Sequence, residues 1–430
     1  MRSNRIAMVF TKGYAPAFLI ILAGVGGSGT AARTLTVGPN QAFSKPSLAA
    51  SAAQDGDTVL FDAAVFAGDA ATWSADRLTL RAASRYAHMR ADGAQAGGKG
   101  TWVITGDDCR VENIEFSGAK VPDGNGAGIR QEGLNPFITH CYFHDNENGI
   151  LTGAAKSEIV IEYSVFTANG AGDGYTHNMY IGDVSSFTLR YCHTQKAKVG
   201  HNIKSRAAVN FISYNLSDNG GDGASSYELD MPNGGSAYVI GNVFQQSAAT
   251  ENPTLLAYGE EGLTHPGKEL YVVNNTFVND RASGGTFISI AAGTTAAKVQ
   301  NNLFVGGGAM LAGKADTASN LQTNAPGFLN KAAGDFRIGA ASPAIDKGTD
   351  AGKAGPVSLA ATGQYLAEAE AMVRPVKGVL DVGAFEYDPG AAIRPRNPSA
   401  SVTDVLPAGI WRWGGWRDAE GRRQIHPNKR

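Results

Sequence analysis

Three cysteines in 430 residues are too few for a disulfide framework. Their positions, Cys109, Cys141 and Cys192, lie too far apart for a zinc-binding motif. Charge is scarce as well. Only 18% of residues are charged and the formal net charge is −2, which argues against bulk nucleic-acid binding and a strongly charged membrane-surface role. A local basic site for an acidic ligand is still allowed. Beyond the N-terminus no apolar run is long enough to cross a bilayer. Helical pattern is nearly missing too, the exception being an alanine-rich stretch from Leu48 to Ala53.

The N-terminus carries Arg2, Arg5 and Lys12, then the apolar run Ala17–Ala23, then small residues from Gly24 to Ala32. Positive, apolar and small in that order is a secretory leader over residues 1–32, with cleavage near Ala31 or Ala32. The apolar run is short of a membrane anchor. The expected location is secreted or periplasmic, with no membrane span in the mature protein.

What the chain has in quantity is glycine, 55 residues, and short alternating segments. One unit recurs: an apolar strand, a small or amide residue, an aromatic or aliphatic residue, then a turn. It appears as Val111–Phe116, Ile138–Phe143, Ile161–Phe166, Leu189–Cys192, Ile212–Asn215, Ile240–Phe244, Val272–Phe277 and Val299–Phe304. Aligning Ile114, Cys141, Ser164, Cys192, Asn215, Asn242, Asn275 and Asn302 gives steps of 23 to 33 residues. β-branched, alternating segments at such steps, punctuated by Gly and Asn, predict an all-β solenoid: a single-stranded parallel β-helix with one coil per repeat. Residues 33–100 form an N-terminal cap and first coils, 101–310 the core, 311–387 the last coils and a C-terminal cover. Residues 388–430 form a Pro-, Arg- and Trp-rich tail, whose tryptophans read as packing residues before sugar contacts. The column places Cys141 and Cys192 two coils apart, roughly 10 Å, too far to bridge. The Asn ladder at the same bend reads as structural.

The segment from Asp173 to Met231 concentrates polar groups. His177-Asn178-Met179-Tyr180, His201-Asn202-Ile203-Lys204-Ser205-Arg206 and Tyr227-Glu228-Leu229-Asp230 align as strands on successive coils. Ile129, Ile150, Met179, Ile203, Leu229, Leu255 and Phe287 are the expected inward column, which turns Arg130, Leu151, Tyr180, Lys204, Asp230, Leu256 and Ile288 outward. The residues before them, Asn178, Asn202 and Glu228, are expected outward too. Cross-strand charge pairs would account for Lys204 and Asp230 alone. They account less well for histidines, amides, a tyrosine and Arg206 gathered on three coils.

With these residues in view, the chain from Leu35 to Tyr387 resembles secreted right-handed parallel β-helix proteins of the pectate-lyase-like superfamily. Asn202-Ile203-Lys204-Ser205 looks like the Asn-Lys-Ser stretch of the chondroitinase B and alginate lyase family, in which that lysine is the base. Where that family has an arginine about one coil later, this chain has Leu229-Asp230-Met231-Pro232-Asn233. The layout from Asp173 to Arg206 is similar to that of mannuronan C5-epimerases. The resemblance implies an acidic, uronate-containing polysaccharide as partner, with proton abstraction next to its carboxylate by a polysaccharide lyase or an epimerase. In that reading Lys204 is the expected base, and Tyr180, His201 and His177 are the candidates for the acid. Arg130, Asn178, Asn202, Arg206, Glu228 and Asp230 are the substrate-binding ones. A glycoside hydrolase is the second reading, because Glu228 and Asp230 would lie roughly 6–7 Å apart along one strand. A non-catalytic glycan-binding surface protein is the third. The sequence makes no cofactor certain. Calcium is the ion the sequence leaves room for, through Asp173, Asp218 and Asp222 in Gly-rich turns, although such turns use Asp for backbone reasons and no metal ligand is assigned.

Overall fold

The computed structural model describes residues 32–390 except 85, 154 and 376, and the backbone of two paired strands, Arg412–Arg417 and Arg423–Asn428. The leader and the side chains of the tail, its tryptophans included, lie outside the described residues.

Among the described residues, strands of three to five residues stack in parallel into sheets of twelve, eleven and ten strands, each coil feeding one strand to each sheet. The stacking runs from Thr34, paired with Thr58, to Thr323, paired with Val305. Pro46–Ala52 is the α-helix. Its Ala49 and Ala50 join the core at the first coils, where they cover apolar side chains that an open solenoid end would expose.

The repeated unit has a local cause. Asn113, His140, Tyr163, Tyr191, Tyr214, Gly241, Asn274 and Asn301 all have left-handed backbone, with φ between 47° and 70°. They form the sharp bend between the twelve- and eleven-stranded sheets. Non-glycine residues enter this region at a cost, which two features offset. The next residue in each coil forms an interior ladder. Asn215 Nδ2 donates to Asn242 Oδ1 (2.9 Å), Asn242 to Asn275 (2.9 Å), Asn275 to Asn302 (3.0 Å) and Asn302 to Asn320 (3.0 Å). Outside the bend, the rings of His140, Tyr163, Tyr191 and Tyr214 stack with centroids 5.1–5.3 Å apart. At Gly241 a Cβ would lie 2.6 Å from the Tyr214 ring, so only glycine lets that stack end there. Cys141 and Cys192 occupy the same column, buried and unpaired. Burial raises the Cys141 thiol to about 12.

One inward column is a ladder of phenylalanines. Phe116, Phe143 and Phe166 stack 4.6–5.1 Å apart, and Phe244, Phe277 and Phe304 stack 5.2 Å apart. All six are fully buried. Burial stabilises the fold by about 1.5–3 kcal/mol per side chain. Between the two runs the register places Thr194 and Ser217. Two small polar residues thus open space in the interior of two central coils.

The C-terminal cover lies along the side of the solenoid. Phe336, Ile338, Tyr365, Val382, Ala384 and Phe385 pack on Leu216, Val243, Val278, Leu303 and Val305 of the eleven-stranded sheet. A second patch sets Ala351, Leu359 and Ala361 against Ile240 and Val273. The later coils of the eleven-stranded sheet are covered in this way, while the polar strip lies on the ten-stranded sheet.

Candidate functional site

Register in the ten-stranded sheet brings Tyr180, Lys204 and Asp230 side by side on three successive strands, Met179–Ile181, Ile203–Ser205 and Leu229–Met231. They face outward, as alternation requires. Lys204 Nζ lies 3.8 Å from Asp230 Oδ2 and 3.6 Å from Glu261 Oε1, and 5.6 Å from the centre of the Tyr180 ring. Arg206, just past the central strand, donates from Nε to the Tyr180 hydroxyl at 2.7 Å and from Nη2 to Glu261 Oε2 at 2.7 Å. Its remaining arm donates to Asn233, and its carbonyl accepts from His265 Nε2 at 2.8 Å. The result is one chain of opposite charges, Asp230–Lys204–Glu261–Arg206, ending on a phenol. Burial tends to raise the Glu261 carboxyl, and Arg206 and Lys204 more than offset this, holding it below its ordinary value. The Arg206 guanidinium is raised, its bonds to Glu261 and Tyr180 outweighing the effect of burial.

The histidines lie in an outer row beside this one. The His177 ring stacks on Tyr180 at 5.6 Å and approaches His201 at 4.5 Å, and His201 meets Tyr227 edge-on at 4.9 Å. His177 Nδ1 accepts the backbone N–H of His201 at 2.9 Å, which leaves its proton on Nε2. Burial, with His201, Lys204 and Arg206 adding to it, pushes His177 down to about 2. His177 therefore presents a neutral Nε2–H group beside Tyr180. His201 Nδ1 lies 3.1 Å from Asp230 Oδ2, off the line of a good hydrogen bond.

Several expected positions are different. Asn178, Asn202 and Glu228 are fully buried, because each sits in the bend before its strand, where two consecutive residues turn inward. They line the space opened by Thr194 and Ser217. Amide N–H groups run in one direction through Asn146, Asn169, Asn178 and Asn202 to Glu228, with steps of 2.9, 2.9, 2.7 and 2.8 Å. Ser217 Oγ and Asn219 Nδ2 also donate to the Glu228 carboxyl, each at 2.5 Å. Its burial raises it to about 8 against those bonds. A sealed Glu228 cannot flank a glycosidic bond with Asp230, so the hydrolase reading loses its pair. The inward column also shifts by one residue in two coils. Leu256 and Ile288 pair with Leu229 and Leu311, and Ala257 and Ser289 continue the outward row.

Arg130 stands apart, separated from Tyr180 by Leu151 and 3.5 Å from Glu132. The three aspartates of the Gly-rich turns do not converge. Asp173 caps its own turn through Tyr175 and Thr176, Asp222 pairs with Lys196, and Asp218 bonds His193. Glu261, Asn233 and His265 belong to the site and were not expected. The glycines that flank Glu260-Glu261 at Gly259 and Gly262 were the available signal.

Comparison with known proteins fits this architecture. The family described as right handed beta helix region matches residues 87–244. The chain is a right-handed parallel β-helix protein of pectate-lyase-like fold. The crystal structure of pectate lyase Pel9A superposes with a TM-score of 0.58 at 14% identity, over 83% of this chain and 96% of that one. This likeness concerns the fold. No curated protein sequence matches. Among the described residues no helix is long and apolar enough to cross a membrane.

Proposed function

We propose that the protein is an exported polysaccharide lyase that acts on a uronate-containing polymer at the Tyr180–Lys204–Arg206 face. The observation that carries this reading is the partly exposed Glu261 carboxylate between Lys204 and Arg206. Two cations already holding a carboxylate at a solvent-facing position are suited to the carboxylate of a uronate. Lys204 and Arg206 pair it and stabilise the enolate that develops when the neighbouring proton leaves. The Tyr180 oxygen, positioned by the Arg206 N–H at 2.7 Å on the face that holds the carboxylate, takes that proton. His201, beside Asp230, supplies a proton to the departing glycosidic oxygen. Lys204, set between two carboxylates, contributes charge. An epimerase would share the first step and return the proton to the opposite face.

The test is incubation with polygalacturonate, alginate and glycosaminoglycans, with methyl-esterified pectin and neutral glucans as controls. An unsaturated uronate end, formed from the free acids alone, is the expected product. New reducing ends without unsaturation, or no change in any polymer, would overturn the reading.

Glu261 offers a second test. A partly exposed ion pair contributes at most about 1 kcal/mol, and here it occupies the position of the substrate. Glu261→Ala is expected to lower KM by roughly two- to fivefold with little change in kcat. A raised KM would show that Glu261 orients the two cations instead of competing with substrate.

A further inference from the structure

A second constellation lies on another face, the outer side of the eleven-stranded sheet at earlier coils. Strands Ala87–Arg90, Ile114–Ser117 and Tyr142–His144 are adjacent there. His88 and Glu115 face each other across the first pair, and His144 comes in from the third strand. His144 Nε2 lies 3.0 Å from Glu115 Oε1 and His88 Nδ1 lies 3.7 Å from the same oxygen. One ligand-type atom from each of the three residues falls within 4.8 Å of the others.

The other ring nitrogens are held as well. His88 Nε2 is 2.7 Å from Ser117 Oγ, and His144 Nδ1 is 2.9 Å from Asp145 Oδ2. The Tyr142 ring stacks on His144 at 4.5 Å. Each imidazole is thus fixed at its far nitrogen and points its near nitrogen at one carboxylate oxygen. This is the outer-partner arrangement that orients histidines around a metal. The side chains are 11–19% exposed, so the cluster is sheltered and still open to solvent.

We propose that His88, Glu115 and His144 bind one divalent transition-metal ion, zinc by ligand type, with its fourth position open to solvent. Zinc bonds of about 2.0–2.2 Å in a tetrahedron put neighbouring ligand atoms roughly 3.3–3.6 Å apart. The 3.0 and 3.7 Å separations from Glu115 bracket that range, and the two imidazole nitrogens, within 4.8 Å of each other, close on the ion by rotation of the rings. Two imidazoles and one carboxylate select zinc-like ions over calcium, which takes six to eight oxygens. Asp145 and Ser117 are positioning residues that act through the histidines. The ion would tie three successive coils together on a side that the described C-terminal cover leaves free.

The test is titration calorimetry of the chelator-treated full chain with zinc and, separately, calcium. One equivalent of zinc and no calcium is expected at this site. His88→Ala and His144→Ala should each weaken zinc at least 100-fold, and Asp145→Asn about tenfold. Cobalt substitution should give the intense visible bands of a tetrahedral ion, lost in both histidine variants. Zinc should raise the thermal midpoint of the wild type and leave that of the variants unchanged. If a histidine variant fails to fold, Glu115→Gln replaces it. Absence of zinc binding, or binding that persists at wild-type strength in the folded variants, overturns the site.

Discussion

Tyr180→Phe is expected to lower turnover of the acidic polymer by about 10²- to 10⁴-fold, the span that a positioned proton-transfer group contributes. The fold should be unaffected. The ring that stacks on His177 is retained, and Arg206 keeps Asn233 and Glu261 after losing the hydroxyl. KM should change little, because the carboxylate partners Lys204 and Arg206 are untouched. Lys204→Ala divides the roles differently. Without one of the two cations, KM rises and kcat falls together, since the charge is used in both the ground and the transition state. The measurement is steady-state kinetics on the polymer identified by product analysis. If Tyr180→Phe keeps more than a tenth of its turnover while a folded Lys204→Ala loses all of it at unchanged KM, Lys204 is the base.

Repetition is what made the fold readable. Asn215, Asn242, Asn275 and Asn302 recur because each must cap the backbone of the coil before it, and the residue ahead of each adopts the same left-handed turn. A constraint imposed once per coil leaves a period in the sequence. The outward row Tyr180, Lys204 and Asp230 was readable for the same reason: within a strand, side chains alternate. Alternation ends where the strand ends, which is why Asn178, Asn202 and Glu228 were misplaced. Two consecutive inward residues at a bend have no signature in a period-two pattern. A different signal was present, since the units at Leu189–Cys192 and Ile212–Asn215 lack the phenylalanine that ends all six of the others. The interior that Thr194 and Ser217 leave unfilled is where the buried amides and Glu228 sit.

What loops and neighbouring columns contribute was not legible. Glu261 reaches Arg206 from 55 residues away, through a loop whose path no repeat dictates. His88 and Glu115 share one column of the sheet and His144 reaches them from the next outward position, with 27 and 29 residues between successive members. No local motif marks them, and only the register brings them together. The separation between the two clusters has a structural basis too. The cover blankets later coils of the eleven-stranded sheet, while the ten-stranded sheet presents its polar row and the early coils present the histidines.

Glu228 sets the second large effect. Removing it with Glu228→Ala leaves the Ser217 hydroxyl and the Asn219 amide without this acceptor and Asn202 with only its bond to Asn219, at about 1–3 kcal/mol for each lost partner, besides a cavity. A loss of about 4 kcal/mol or more is expected in denaturant unfolding. The carboxyl also makes stability depend on pH, and the sign follows from its raised value. In the folded protein it titrates at about 8, against an ordinary 4.5. Below the ordinary value both states hold the proton and the contribution is complete. Between the two values the unfolded chain releases its proton while the folded one retains it, so stability falls as pH rises. Above about 8 no further loss comes from this group. Glu228→Gln cannot ionise. Its amide oxygen can accept from Ser217 and Asn202 as Glu228 Oε2 does, but its N–H groups are then set against the Asn219 Nδ2 donor, at a cost of about 1–2 kcal/mol. The wild-type unfolding midpoint should therefore decline from pH 5 to pH 8, and the Glu228→Gln variant should begin lower and decline less. Parallel curves for the two proteins across that range would show that the pH dependence arises from other groups.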